Sequence, residues 1–255
     1  MTMRPIAIMG AMQEELLGLK HAVQGAHTIN MGGRQVTTGN WHGHPVVLVL
    51  SRIGKVAAAT TATALIERFD VAEIVFTGVA GGLAPGVHVG DMVVATEFLQ
   101  HDMDASPLFP PMEVPLYDRA HFPTDTTMTQ RLKLAATAIL KNPAQWIDME
   151  VLHELQVHTP KVHSGLVVSG DRFISTSQES QSLQQRLPQA LAVEMEGAAV
   201  AQVCHDYGVP FAAVRTISDR ADDTATTDFT RFIHEVASRY TSALLGTWMA
   251  NRASA

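Results

Sequence analysis

The chain has very little of several things that define common protein classes. It has one cysteine, Cys204, in 255 residues. That excludes a disulfide framework and a thiolate metal cluster. Charged residues make up 17% and aromatics 6%, and the charge balance is −7 with histidines neutral. A deficit of positive charge argues against non-specific binding to nucleic acid or an anionic membrane. No apolar run approaches the roughly 18–20 residues needed to span a bilayer. The first apolar run, Pro5 to Met12, stops at Gln13-Glu14-Glu15, so it does not read as a signal peptide. The expectation is a cytoplasmic globular protein. With 46% hydrophobic residues against so little charge, a buried subunit interface is expected beyond the core.

Short apolar runs alternate with longer amphipathic ones. Strands are expected at residues 5–9, 45–50, 73–77, 91–96, 165–169, 190–193 and 211–217, most of them continuous Val/Ile/Leu/Ala runs suited to burial on both faces. Helices are expected at 13–22, 55–69, 127–140, 178–187, 196–207 and 228–251. The alternation predicts βαβ units around a central, mostly parallel sheet. With no repeat and no linker, residues 1–255 read as one domain. The segment from Asp104 to Tyr117 carries Pro107, Pro110, Pro111 and Pro115 among large apolar residues. Proline removes backbone donors, so this is an apolar loop that should lie on an active site or a partner subunit.

Several chemical motifs are absent. Thr77-Gly-Val-Ala-Gly-Gly-Leu-Ala-Pro85 is the densest glycine cluster, but its spacing matches neither a dinucleotide-binding turn nor a P-loop. It fits a tight turn or a ligand cradle equally. His153 and His158 are five apart, one too many for a helical zinc pair, because they would sit about 140° apart. His101, Asp102 and Asp104 fit a hydrogen-bonded strand end better than a metal site. Cys204 reads as a core residue, and no Gly-x-Ser-x-Gly elbow occurs. What remains is a set of acids just past apolar strands: Glu15, Glu194, Glu196 and Asp219. Open α/β sheets bind ligands at the carboxyl ends of their strands. Helix capping explains any one such acid, whereas several together point to acid/base work.

Six segments in order carry a family resemblance: Ile8-Met-Gly-Ala-Met-Gln-Glu-Glu15, Ser51-Arg-Ile-Gly-Lys-Val56, the glycine cluster, Val168-Ser-Gly-Asp-Arg-Phe-Ile174, Val193-Glu-Met-Glu196 and Arg215-Thr-Ile-Ser-Asp219. Together they resemble the 5′-methylthioadenosine/S-adenosylhomocysteine nucleosidases of the purine nucleoside phosphorylase superfamily, over about residues 4 to 250. The resemblance implies a single-domain, three-layer α/β/α fold with a mixed, partly barrel-like central sheet. It also implies a homodimer with neither metal nor organic cofactor. The implied activity is hydrolysis of the N-glycosidic bond of 5′-substituted adenine nucleosides, releasing adenine.

By the same resemblance, Glu15 is the general base that activates water. Asp219, oriented by Ser218, is the acid at N7 of the departing adenine, and it must be protonated when it acts. Glu196 holds the ribose hydroxyls and Met195 packs on the sugar. Phe173 stacks on adenine, and the Ile174 backbone meets the purine edge. Ala80 and Gly81 line the substrate site. Met12, Ile53 and Phe229 surround the 5′-alkylthio group, with the partner subunit's loop between Ala105 and Pro115 closing that pocket. This sequence departs from the family at Val79, where a hydroxyl residue is common, and at Arg52, where glycine is frequent. It is also longer over residues 140–164.

Alternatives remain at this point. Phosphorolytic relatives usually carry an arginine where Phe76 stands, and a phosphate dianion needs charge-assisted donors; Arg52 is the one nearby replacement that keeps phosphorolysis open. Hydrolases of futalosine-type nucleosides share the acids and differ in the 5′ pocket. A non-catalytic nucleoside-binding relative would be expected to have lost one of the acids, and Glu15, Glu196 and Asp219 are all present.

Overall fold

A computed structural model describes residues 3–221 and 229–253, with the side chains of Glu15, Leu17 and Ala253 outside the description. In chain order the elements are β1 (Ile6–Gly10), α1 (Glu14–Leu17), β2 (Gln24–Met31), β3 (Arg34–Trp41), β4 (His44–Leu50), α2 (Lys55–Phe69), β5 (Glu73–Gly82), β6 (Met92–Gln100), β7 (His121–Pro123), α3 (Thr126–Leu140), α4 (Met149–Glu154), β8 (Val162–Ser169), α5 (Ser177–Arg186), β9 (Ala190–Glu194), α6 (Gly197–Tyr207), β10 (Phe211–Asp219), α7 (Phe229–Phe232) and α8 (Ser238–Ala253).

The strands form one sheet, ordered β10-β6-β8-β9-β5-β1-β4-β3-β2, with β7 on the edge of β6. β10 also pairs with β5. That pairing joins β5, β10, β6, β8 and β9 into a closed ring, the barrel-like part of the sheet. Among the described residues, parallel and antiparallel strand pairings occur equally, five of each. The sheet is therefore mixed rather than mostly parallel. Successive strand side chains point to opposite faces, and both faces are apolar. Ile6 and Ile8 of β1 pack with α3 and α8 on one side. Ala7 and Met9 pack with α2 and α6 on the other. This is the physical content of the continuous apolar runs.

Two hairpins went unforeseen. β2 is exposed at seven of its eight residues, so it has no hydrophobic period to read. Its turn signal was nevertheless present. Gly32 and Gly33 both have positive φ, +54° and +73°, as a two-residue type I′ hairpin requires. His42 and Gly43, at +50° and +84°, join β3 to β4 in the same way.

Other expectations shift. The glycine cluster is strand rather than loop, because β5 runs on to Gly82 and pairs there with both β10 and β9. The helix expected at 13–22 is a short α1 followed by a 3₁₀ turn at Lys20–Ala22. The helix expected at 228–251 has Asp228 outside the described residues, and it is wound through a π-helical turn at Ile233–Ala237. The proline-rich loop is anchored by buried Val114 and by the Tyr117 hydroxyl, which donates to Asp206 at 2.8 Å. Leu108 and Leu116 remain 84% and 86% exposed.

Candidate active site

A mainly apolar cleft of about 370 Å³ opens at the carboxyl ends of β1, β5, β9 and β10. Of the residues singled out from the sequence, Met12, Ile53, Ala80, Gly81, Phe173, Met195, Glu196, Ser218, Asp219 and Phe229 all lie on its wall. Ile174 does not. It sits in a small recess alongside, with Phe173, Met195 and Asp219. The backbone of Glu15 lies in α1, directly after β1, while its side chain lies outside the described residues. Ala11 and Val193 also line the cleft, two wall positions that sequence reasoning did not single out.

Asp219 owes its position to an irregularity in pairing. β10 runs in register with β5 from Phe211 to Ile217, then slips, so that Asp219 rather than Ser218 faces Gly81. Such a bulge re-aims side chains, here at the mouth of the cleft. The Ser218 hydroxyl donates to Asp219 Oδ2 at 2.8 Å, and the Ala221 N–H donates to Oδ1 at 2.7 Å. A Cβ on Gly81 would stand 3.0 Å from Asp219 Oδ1 and 2.9 Å from Ala221 Cβ. The glycine therefore clears space for a carboxylate and its turn, and needs no phosphate to explain it.

Glu194, noted in the sequence but given no role, anchors the part of the wall where β9 turns into α6. Its Oε2 accepts from Arg215 Nη2 at 2.8 Å, with the side chains only 3% and 1% exposed. The Gly197 N–H donates to Oε2 at 2.8 Å, the Glu196 N–H at 3.2 Å, and the Ser169 hydroxyl donates to Oε1. Buried charges persist when they are paired and their remaining lone pairs are satisfied. The result fixes the turn from β9 into α6, which carries Met195 and Glu196 into the cleft. Gly197 is packed so closely that a Cβ there would lie 2.2 Å from Phe98 Cε1. Glu196 is itself 5% exposed, and its Oε1 accepts the Gly54 N–H at 2.8 Å.

The departures acquire physical meaning. Arg52 has φ +68°, a left-handed conformation that glycine adopts freely and another residue adopts at a cost of about 1–3 kcal/mol. Its guanidinium donates to the Gly33 carbonyl. Phe76 is fully buried beneath the Arg215 guanidinium, 4.2 Å from its ring centroid. Val79 puts a side chain without a hydroxyl on the cleft wall.

Cys204 is buried, and burial pushes its thiol pKa up. His153 and His158 do meet, with ring centroids 6.3 Å apart, because α4 ends between them. Among the described residues, no group of three or more His, Cys, Asp or Glu gathers to hold a metal ion.

A half-closed mixed barrel with helices on both faces and buried acids at its strand ends defines an α/β small-molecule site. The family model described as the phosphorylase superfamily matches residues 5–247. A 5′-methylthioadenosine/S-adenosylhomocysteine nucleosidase from Neisseria meningitidis, solved with methylthio-immucillin-A, is 31% identical with a TM-score of 0.85. The match covers 98% of this chain and 100% of that one. An S-adenosylhomocysteine nucleosidase from Streptococcus pyogenes, solved with 5-methylthiotubericidin, is 31% identical at TM-score 0.82, covering 98% of each chain. A futalosine hydrolase mutant of Helicobacter pylori is 30% identical at TM-score 0.80, covering 96% of this chain and 98% of that one. The chain therefore belongs to the phosphorylase superfamily and, within it, to the 5′-methylthioadenosine/S-adenosylhomocysteine nucleosidase family, and it is an N-glycosyl hydrolase.

Proposed function

We propose that this enzyme hydrolyses the C1′–N9 bond of 5′-substituted adenine nucleosides, 5′-methylthioadenosine and S-adenosylhomocysteine, releasing adenine. The observation that carries this reading is that a buried Asp219 and a buried Glu196 both line one apolar cleft. Breaking the ribosyl bond develops positive charge on the sugar, and adenine leaves poorly unless protonated. Asp219, held by Ser218, delivers a proton to N7 as the bond breaks. Glu196 holds the ribose hydroxyls and lies close to the developing charge. Glu15 removes a proton from the attacking water as its oxygen bonds to C1′. An acid on the leaving-group side and a base on the water side divide the labour as in inverting glycosidases. Phe173 and Met195 sandwich purine and sugar, the Ile174 backbone meets the purine edge, and Ala80 and Gly81 border the site. Met12, Ile53 and Phe229 receive the 5′ substituent.

Water rather than phosphate is the acceptor. Phe76 occupies the place of the phosphorolytic arginine, and Arg215 is already paired with Glu194. A dianion would find no free charge-assisted donor at either position. Adenine release assayed with and without phosphate tests this: equal rates are expected, and strict dependence on phosphate overturns it. A panel including a futalosine-type nucleoside ranks the 5′ substituents.

The enzyme works as a single cytoplasmic domain paired in a homodimer. Exposed Leu108 and Leu116 suit burial by a second copy, with the partner subunit's loop between Ala105 and Pro115 roofing the 5′ pocket. Analytical ultracentrifugation tests the dimer, and a monomer at micromolar concentration overturns it.

A further inference from the structure

Beside the cleft, three loops from three different strands are tied together by one lysine. Lys55 Nζ donates to Asp102 Oδ1 at 2.6 Å and lies 3.8 Å from Asp171 Oδ2. Its side chain is only 14% exposed. The loops are also laced through their backbones. The Lys55 N–H donates to Asp171 Oδ1 at 2.8 Å, and the Asp171 N–H donates to Asp102 Oδ2 at 2.8 Å. Asp102 follows β6, Asp171 follows β8, and Lys55 opens α2 after β4.

The centre of this lattice is Gly54. Its φ of +96° lies where only glycine is comfortable, and a Cβ there would stand 3.2 Å from Asp171 Oδ1. The conformation aims the Gly54 N–H at Glu196 Oε1, 2.8 Å away. The first two N–H groups at the start of α2 are thus shared between Asp171, which belongs to the lattice, and Glu196, which belongs to the cleft. The positive end of a helix favours both carboxylates. Asp102 is held below the usual carboxylate range: burial opposes this, but the hydrogen bonds from Lys55 and the Asp171 N–H outweigh it.

We propose that Lys55, with Asp102 and Asp171, is a positioning residue for the Glu196 carboxylate, acting through the Gly54 N–H and touching no substrate itself. The inference rests on the reading that Glu196 binds the ribose hydroxyls. Without the ammonium, Asp102 and Asp171 repel one another across the lattice, the loop carrying Gly54 loosens, and Glu196 loses a donor that helps to set its direction. Displacements of about 1 Å at a binding carboxylate cost up to roughly a hundredfold in rate.

The test compares 5′-methylthioadenosine with an analogue lacking both ribose hydroxyls. K55M should lower kcat/KM for the first by roughly ten- to a hundredfold, and for the second by less than about threefold. K55R, which can bridge both aspartates, should restore most of the loss. In an E196Q background K55M should add almost nothing, because residues acting through one another are non-additive. Equal losses on both substrates, or no loss, overturn the proposal. D102N supplies a second variant should K55M fold poorly, with the same expected selectivity. Release of adenine by the unmodified enzyme tests the proposed activity separately. Calorimetric binding of the nucleoside and its analogue to K55M decides the positioning role whether or not turnover is seen.

Discussion

Arg215 and Glu194 form a buried ion pair, 2.8 Å apart and both nearly withdrawn from water, and neither belongs to the set proposed to handle substrate. Removing one partner strands the other charge in the interior. Glu194→Gln should therefore destabilise the protein by about 3–5 kcal/mol, while the double change Glu194→Gln with Arg215→Met should cost clearly less. Urea unfolding of the single and double variants measures both. A loss below about 1 kcal/mol for the single change would show that the pair is solvated.

Asp219 and Ser218 separate chemistry from orientation. Asp219→Asn keeps the shape but cannot deliver the proton, so turnover should fall by at least about 10²–10⁴ while nucleoside binding persists. Ser218→Ala removes one hydrogen bond at 2.8 Å. It should cost about 1 kcal/mol of transition-state stabilisation, or roughly five- to tenfold in kcat. Steady-state kinetics beside calorimetric binding checks both, and wild-type turnover in Asp219→Asn removes that residue from the mechanism.

His101 should make stability depend on pH. Its ring is buried with Nε2 unpartnered among the described residues, and burial lowers its pKa from the ordinary 6.5 despite Asp102 nearby. The unfolded chain therefore takes up this proton at higher pH than the folded one. The contribution to stability is full above about 6.5 and is lost as pH falls toward the folded value. Wild type should lose urea resistance as pH falls below about 6.5 relative to His101→Phe, whose ring never charges. Parallel pH curves for the two proteins would refute this.

Cys204 should be chemically silent. The thiolate is the reactive species, and burial in α6 pushes the thiol pKa up. Native protein should leave an aromatic disulfide reagent unconsumed at pH 8, and urea-unfolded protein should react with one equivalent. Rapid reaction of the folded protein would mean that α6 opens locally.

Residue type and local spacing were enough to mark much of the fold and site. Helix α2 falls at residues 55–69, the bounds read from its pattern, because apolar period and glycine punctuation are properties of neighbouring residues. Asp219, Glu196 and Phe173 were recognisable because each lies within a distinctive short segment just past an apolar run. β2 carried no hydrophobic period, since an exposed edge strand buries almost nothing, and only Gly32-Gly33 betrayed it.

Tertiary structure alone decided what depends on distant partners. The closure of β10 onto β5, the register slip that turns Asp219 toward Gly81, the meeting of Glu194 with Arg215 and the lattice of Lys55 with Asp102 and Asp171 join residues from 21 to 138 positions apart. Hydrogen bonds and charge pairs are satisfied in space, and nothing in local periodicity says which donor will reach which acceptor once the ring closes. The sequence by itself determined which chemical groups stand at the strand ends. The closed sheet decided which of them face the cleft and which hold the others in place.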